Sequence, residues 1–445
     1  MQNSSTAYSF VAEGLNLISV LRGIGGLAVL ILIAYVFSAN RKRINWPLVL
    51  KGLLIQIIFA IGIIKVPFVA TIFETVSKFF VQILQFSSNG AQFVFGDLVG
   101  KVDSFGFIFA FQVLPTIVFF SALTSLLFYF GIIQKVVYVF AIIMKKAMNL
   151  SGAESLAASA NIFLGQTESP LLIKPYIKNM TKSEILTLMT AGMATIAGGV
   201  LAAYVGFLGG NDPALQLIFA KHLLAASVMA APAAVVTSKI LLPETEEYDK
   251  SMEVSKDKLG SNFLEAISIG TVDGIKLAVN VGAMLIVFIA FIAMANYLLK
   301  NMIGDWTGLN ASIQSFTNGQ FDGLSLQFIL GYTLKPLAFL LGVSWTDSAL
   351  VGQLLGEKTI LNEFVAYTSL GNLKSVMAFA DAKSVIMATY ILCGFANFAS
   401  IGIQIGGIGA LEPEKRTTLS QLGGRALLAG TMASLFTATI VGMFF

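Results

Sequence analysis

The stretch NIFLGQTESPLL, running from Asn161 to Leu172, decides how the rest of the chain is read. Three consecutive polar residues, Gln166, Thr167 and Glu168, stand between apolar flanks. Gly165 precedes them and Pro170 closes the group. Glycine and proline punctuate helices, so the segment is expected to interrupt one. A carboxylate there is costly if the segment lies in a bilayer, and its presence then points to function.

The composition puts the chain in a bilayer. Of 445 residues, 56% are hydrophobic and 12% are charged, about half the charged share of a soluble domain. Mean hydropathy is +0.82. These values describe an all-α polytopic membrane protein. A net charge of +4 is too small to imply a nucleic-acid partner. The single Cys393 excludes an intramolecular disulfide, and the single His222 argues against a histidine-based metal site. No phosphate-binding loop, HExxH or CxxC pattern occurs, so no organic cofactor and no enzymatic activity are expected. The first apolar run, 15–37, is long enough to span and lacks a small-residue cleavage pattern, so no cleavable signal is expected.

A spanning helix needs about 20 mostly apolar residues. Seven clean candidates are 15–37, 46–64, 105–133, 186–208, 215–242, 267–299 and 426–444. An eighth, 385–410, is broken by GFANFASIG. Two further segments, 153–177 and 346–370, carry polar clusters in their interiors and are read as hairpins that enter and leave on one side. The amphipathic stretch FETVSKFFVQILQF within 67–99, and the run 326–341, are read as lying at the membrane interface,.

Arg41, Lys42 and Arg43 follow the first span, and the bias of short cytoplasmic loops toward basic residues places them inside,. Alternation then puts Lys135, Lys145 and Lys146 inside. Lys174, Lys178 and Lys182 stay inside only if 153–177 is a re-entrant hairpin. The charged loops 243–258 and 412–416 come out cytoplasmic, and 346–370 dips in from the other side. Lys374 and Lys383 fall outside, against the trend. The expected fold has eight transmembrane helices, two oppositely oriented re-entrant helical hairpins and both termini outside. A polar hairpin followed by two spans occurs at 150–242 and again at 346–445. Inverted repeats of this kind are a transporter signature.

Glu168 and Glu363 are the leading functional candidates, each at a hairpin tip. Asn397 and Ser400 sit at i, i+3 in the broken span and are expected to share a helix face. Asn161 and Thr195 supply neutral oxygens near the first hairpin. His222 is read as an interfacial residue, Cys393 as a small buried hydrophobe, and Asp273 with Lys276 as an ion pair one turn apart.

These residues resemble the concentrative nucleoside transporter family, in its bacterial form. GQTESPLLIKPYIKNMTKSE is similar to the family's first-hairpin signature, NEFVAY at 362–367 to the second, and CGFANFASIGI at 393–403 to that of the seventh helix. GIKLAVNVGAMLIVFIAFIA resembles the long sixth helix. The likeness covers nearly the whole chain from RKRINW onward and does not place MQNSSTAYSFVAEG.

The resemblance implies a homotrimer in a bacterial inner membrane, in contact with the lipid bilayer. It implies an elevator-type mechanism, in which a mobile domain slides against a scaffold. The chain then divides into N-terminal scaffold and interfacial helices (1–149), the first hairpin and its transport helices (150–242), a loop with a long scaffold helix and an interfacial helix (243–345), and the second hairpin with its transport helices (346–445). It also implies residue roles. Gln166, Thr167 and Glu168 face a nucleobase. Glu363, Asn397 and Ser400 take ribose hydroxyls, and Val200 and Phe395 line the pocket. Sodium is held by the Asn161 and Thr195 side chains with the carbonyls of Leu164 and Ile196.

The chemistry agrees with those roles. A nucleoside offers donors at both ends, and carboxylates accept them in charge-assisted bonds. The expected function is sodium-coupled nucleoside import, with sodium as co-transported ion. A proton-coupled nucleoside symporter and a transporter of another small polar metabolite are the alternatives. Family members that use protons are expected to lose the oxygens at the Asn161 and Thr195 positions, and both are present here.

Overall fold

The computed structural model describes residues 8–10, 14, 16–106, 108–210, 212–252, 254 and 259–445. Leu15, where the first span was expected to start, and residues 253 and 255–258 of the loop expected to be cytoplasmic lie outside the described residues. Every regular element among the described residues is helical. A helix satisfies its own backbone, which is what a chain immersed in hydrocarbon requires. Eight helices are long and apolar enough to cross a membrane: Leu17–Val36, Trp46–Lys65, Pro67–Phe95, Phe109–Tyr129, Lys182–Gly209, Pro213–Leu241, Phe263–Thr307 and Pro413–Gly442.

Seven of these overlap the expected spans, and the eighth differs. Pro67–Phe95, read from the sequence as interfacial, is a 29-residue helix. The broken span expected at 385–410 is two short helices, Ala382–Leu392 and Phe398–Leu411, on either side of the interruption. The supposedly clean span 186–208 is also broken. Its halves are Lys182–Ala194 and Gly198–Gly209, and Thr195 between them is extended, with φ −116° and ψ 169°. The apolar run hid that break because Ile196 and Ala197 keep hydropathy high where the helix stops. Two helices outside the expected elements are Ile132–Met148, which carries Lys135, Lys145 and Lys146, and the shorter Leu309–Phe316.

The two hairpin segments are each a helix followed by a turn and more helix. The first runs through Gly152–Ala160, an irregular tip at 161–168, and the short helices Ser169–Leu172 and Lys174–Ile177. The second pairs Ser348–Ile360 with Glu363–Ser375 across Leu361 and Asn362 alone. After each comes a broken helix and then one long helix, Pro213–Leu241 in the first case and Arg416–Gly442 in the second. The same element order therefore occurs twice.

Burial separates these repeats from the rest. The most apolar windows of Lys182–Gly209, Pro213–Leu241 and Pro413–Gly442 are 78–89% buried, against 6–22% for Leu17–Val36, Pro67–Phe95 and Phe263–Thr307. Small side chains make the close packing possible. Ala191, Ala194, Ala230, Ala233, Ala234 and Ala433 form one cluster where three helices meet. Small residues let helix backbones approach where lipid and side chain are equally apolar.

The two breaks press on each other at Gly394. Its φ of +104° lies in the region open to glycine,. A Cβ there would stand 2.5 Å from the Met193 carbonyl oxygen and 2.6 Å from Ala194 backbone atoms. Gly394→Ala is expected to destabilise the protein by about 2 kcal/mol or more, from the strained φ and the backbone clash together. Gly402→Ala is the control, since nothing lies within 4 Å of that position. Thermal unfolding in detergent checks the pair: a lowered midpoint for the first and an unchanged one for the second.

Candidate functional site

Asn362 starts the site. Its extended backbone and side-chain oxygen cap the helix Glu363–Ser375 by accepting from Val365 N. That cap aims Glu363, in the first turn, into the interior, where it is 3% exposed. Asn397 does the same for the second broken helix. It is the N-cap of Phe398–Leu411, with φ −144° and ψ 166°, and its Oδ1 accepts from Ser400 N at 2.9 Å. The i, i+3 spacing of Asn397 and Ser400 is thus a capping relation rather than a shared helix face. Its amide is left free to turn outward, and Asn397 Nδ2 donates to Glu363 Oε2 at 2.6 Å.

The chain of contacts continues into the first hairpin. Gln166 Nε2 donates to Ser400 Oγ at 3.2 Å. Gln166, Ser400, Asn397 and Glu363 therefore form one buried polar line from one hairpin tip to the other, through the second break. Glu168 is half-buried, and its Oε2 accepts from Gly165 N at 3.0 Å, which folds the tip back on itself. Thr167 is exposed and lies over Gly407, away from the line. Val200 opens the second half of the first broken helix and Phe395 lies in the second break; both are buried.

Gln166 Oε1 and Gln404 Oε1 are buried and meet no hydrogen-bond partner among the described residues, while the Tyr204 hydroxyl lies beside the Glu363 carboxylate. Tyr204 stacks on Tyr367 with ring centroids 4.0 Å apart, and packs edge-on against Phe364, the residue after Glu363. Native interiors leave few such groups orphaned, so a cluster of them marks room for a polar ligand.

The first break has its own oxygen cluster. Asn161 ends the helix Gly152–Ala160, and both it and Thr195 are fully or nearly fully buried. Asn161 Oδ1 accepts from Ser169 Oγ at 2.8 Å, and Thr195 Oγ1 donates to Ala191 O at 2.8 Å, so both oxygens keep a lone pair. Among the described residues no donor reaches the carbonyl oxygens of Leu164 or Ile196. No group of three or more His, Cys, Asp or Glu side chains suited to a metal occurs among the described residues.

His222 is buried at 7% exposure, with Nδ1 3.2 Å from the Tyr390 hydroxyl. Cys393 is buried and free, as expected, and Asp273 and Lys276 form an exposed pair at 3.4 Å. The sequence reading missed Tyr204, Gln404 and Lys358. Lys358 could have been found: a lysine inside an apolar hairpin arm is as unusual as a carboxylate.

An all-helical chain with eight membrane-length helices, and a buried polar line where broken helices meet, is a multi-pass membrane protein built to hold a small polar solute. Family models described as "Na+ dependent nucleoside transporter N-terminus", "Nucleoside recognition" and "Na+ dependent nucleoside transporter C-terminus" match residues 25–98, 110–211 and 222–442. The chain is 42% identical to an uncharacterized transporter of Haemophilus influenzae over 96% of this chain and 98% of that one. It is 39% identical to sodium/nucleoside cotransporter 1 of Mus musculus over 94% of this chain, and spans 63% of that longer protein. The structure of CNTnw in an inward-facing substrate-bound state matches with a TM-score of 0.86 at 38% identity, over 96% of this chain and 99% of that one. A variant of CNTnw in an outward-facing state matches with 0.87 at 37% identity, over 96% and 99%. The chain belongs to the concentrative nucleoside transporter family.

The polar line makes a prediction of its own. Asn397→Ala removes both the helix cap and the donor to a buried carboxylate, and is expected to cost about 2–4 kcal/mol. Ser400→Ala removes one neutral side-chain bond and is expected to cost about 1 kcal/mol or less. Chemical denaturation in detergent, followed by tryptophan fluorescence, ranks the two.

Proposed function

We propose that the protein imports nucleosides by sodium symport across a bacterial plasma membrane. The observation that carries this reading is the buried line Gln166–Ser400–Asn397–Glu363, which joins both hairpin tips around unpaired polar atoms. The family and the transporter relatives support nucleoside as the solute. Glu363 and Asn397 take ribose hydroxyls, Ser400 takes a hydroxyl at the same end, and Gln166 and Glu168 read the base edge. Thr167 borders the tip, while Val200 and Phe395 supply apolar walls.

Sodium sits at the first break, on Asn161 and Thr195 side-chain oxygens and the Leu164 and Ile196 carbonyls. The unpaired state of those carbonyls supports this, because a hard cation wants oxygen ligands and buried carbonyls want a partner. A neutral site carries one net charge inward with the ion. At 100 mV that is worth about 2.3 kcal/mol, or roughly 50-fold accumulation at 1.4 kcal/mol per tenfold.

The chain works as a homotrimer. The exposed apolar face of Phe263–Thr307, with Ile286 at 73% and Phe291 at 56% exposure, supports a scaffold role for that helix. The two repeats, 150–242 and 346–445, are inverted, their hairpins are re-entrant from opposite sides, and together they form the moving part of an elevator. The deep burial of their long helices against one another supports movement as a single body. Relatives solved in inward-facing and outward-facing states support alternating access.

Radiolabelled uridine uptake into proteoliposomes tests the reading directly. Accumulation with an inward sodium gradient is the expected result. Equal uptake driven by a proton gradient in sodium-free buffer overturns the ion assignment, and no nucleoside uptake under either gradient overturns the function.

Glu363→Gln keeps the shape and loses charge-assisted acceptance of hydroxyls, worth about 1.5–3 kcal/mol per bond. Uridine affinity is expected to fall about 10- to 100-fold, as read by isothermal titration in detergent. Asn161→Ala combined with Thr195→Ala is expected to raise the sodium half-saturation of uptake about tenfold or more, since both changes remove ion ligands. An unchanged sodium curve in that double variant places the ion elsewhere.

A further inference from the structure

Lys358 is fully buried and lies five residues ahead of the second hairpin's tip carboxylate, Glu363, with which it forms no ion pair among the described residues. A buried ammonium without a carboxylate needs other acceptors. It has three: Ile391 O at 2.9 Å, Cys393 O at 3.2 Å and Ser434 Oγ at 3.1 Å. Ser434 reinforces the arrangement by donating its own hydroxyl to Cys393 O at 2.8 Å. The two carbonyls belong to the end of Ala382–Leu392, where the break removes the amides that would have met them,. A cation at that end also complements the helix dipole.

The first break poses the same problem at the same place in its repeat. Thr195 is the C-cap of Lys182–Ala194, as Cys393 is of Ala382–Leu392. The carbonyl of Ile196, just beyond, has no donor among the described residues, and neither has Leu164 at the first hairpin tip. Each repeat also lends a serine from its long helix. Ser227 donates to Ile162 O at 3.0 Å in the first, and Ser434 to Cys393 O in the second. One repeat surrounds its break with neutral oxygens, and the other fills the corresponding place with a tethered ammonium.

We propose that Lys358 is the built-in cation of the second repeat, doing for the break at Cys393–Asn397 what sodium does for the break at Thr195–Ala197. It is a positioning residue. By fixing the carbonyls of Ile391 and Cys393 it holds the turn that presents Phe395 and Asn397, and through Asn397 the Glu363 carboxylate, to the nucleoside. The sugar end of the site is then preformed at any sodium concentration, and sodium governs the first hairpin alone. This inference rests on the sodium site proposed above.

The test is uridine uptake by proteoliposomes of the full-length protein carrying Lys358→Met or Lys358→Ser. The methionine variant is expected to raise the uridine KM about tenfold or more, because losing the ammonium frees the turn that holds two ligand-facing groups. Its sodium half-saturation at saturating uridine stays within about twofold of wild type, since the first break is untouched. The serine variant opens a pocket of oxygens in place of the ammonium. Its uridine KM is expected to recover at high sodium, and its sodium curve to steepen as a second ion enters. A wild-type uridine KM in folded Lys358→Met overturns the proposal. So does equal impairment of both variants at every sodium concentration, which marks plain structural support.

Should neither variant survive size-exclusion, Ser434→Ala decides, because it removes one acceptor and leaves the lysine in place. A uridine KM raised about three- to tenfold is expected from loss of one charge-assisted bond, and an unchanged KM overturns the proposal. Wild-type uptake indifferent to sodium sinks the ion site instead, and leaves the methionine variant's KM to decide the role of Lys358.

Discussion

A helix that stops inside a membrane leaves carbonyl and amide groups without partners, and each costs several kcal/mol in hydrocarbon. Among the described residues two helices are interrupted in this way, at Thr195–Ala197 and at Cys393–Asn397, and much else answers that constraint. Asn397 caps the amide side of the second break through Ser400 N. Lys358 and Ser434 cover its carbonyl side. Gly394 lets the two breaks come into van der Waals contact, so that their loose ends share one interior. Function follows from the same geometry. Where backbone groups already face inward, a polar solute or an ion finds partners that a continuous helix cannot offer.

Holding two broken helices in register takes a rigid surround. The alanine cluster packs Lys182–Ala194, Pro213–Leu241 and Arg416–Gly442 together through their smallest side chains. At the far end of the first repeat, Lys239 forms a buried ion pair with Glu154 and donates to Ser183 Oγ at 2.8 Å. Glu154 also accepts from Thr187, and Glu244 accepts from Thr181 at 2.7 Å. This cluster ties the first hairpin arm, the first broken helix, the long helix and the start of the following loop at one point. A buried pair of this kind adds little net stability over an apolar contact, so its value lies in fixing which elements meet.

The polar hairpins, the second break and the long outer helices were legible in the sequence because each disturbs hydropathy. Charge in an apolar run is visible, and so is the interruption GFANFASIG, with its glycines, Asn397 and Ser400. The first break was not legible. Thr195, Ile196 and Ala197 keep the run apolar, and what ends the helix is the backbone at Thr195 and the glycine pair after it. Ile132–Met148 was missed because its lysines read as a loop, although its apolar positions Ile133, Val137, Ala141, Met144 and Met148 recur at helical spacing. The burial of His222 was not legible, because Lys221 beside it drew the reading to the interface. The ring instead turns inward to Tyr390, so neighbours in sequence face different surroundings on a helix. Pairing across the molecule, such as Gln166 with Ser400, lies beyond sequence spacing, since 234 residues separate them.

That pairing changes how the two hairpins relate. The family roles put Gln166 at the base end of a nucleoside and Ser400 at the sugar end, as separate duties. In the structure the two side chains hold each other. A ligand that engages the Ser400 hydroxyl competes with the Gln166 amide, and one that engages Gln166 through its amide releases Ser400. Breaking a neutral bond of this kind costs about 1 kcal/mol net, because each partner finds a replacement on the ligand. A ligand with groups at both ends replaces the bond completely, whereas one carrying only a base or only a sugar leaves one buried partner unpaired, at about 1–3 kcal/mol. On the proposed roles, discrimination between a whole nucleoside and its fragments arises from the polar line itself, before any contact made by Glu168 or Glu363 is counted. The same bond that closes the site on itself is what a two-ended solute opens.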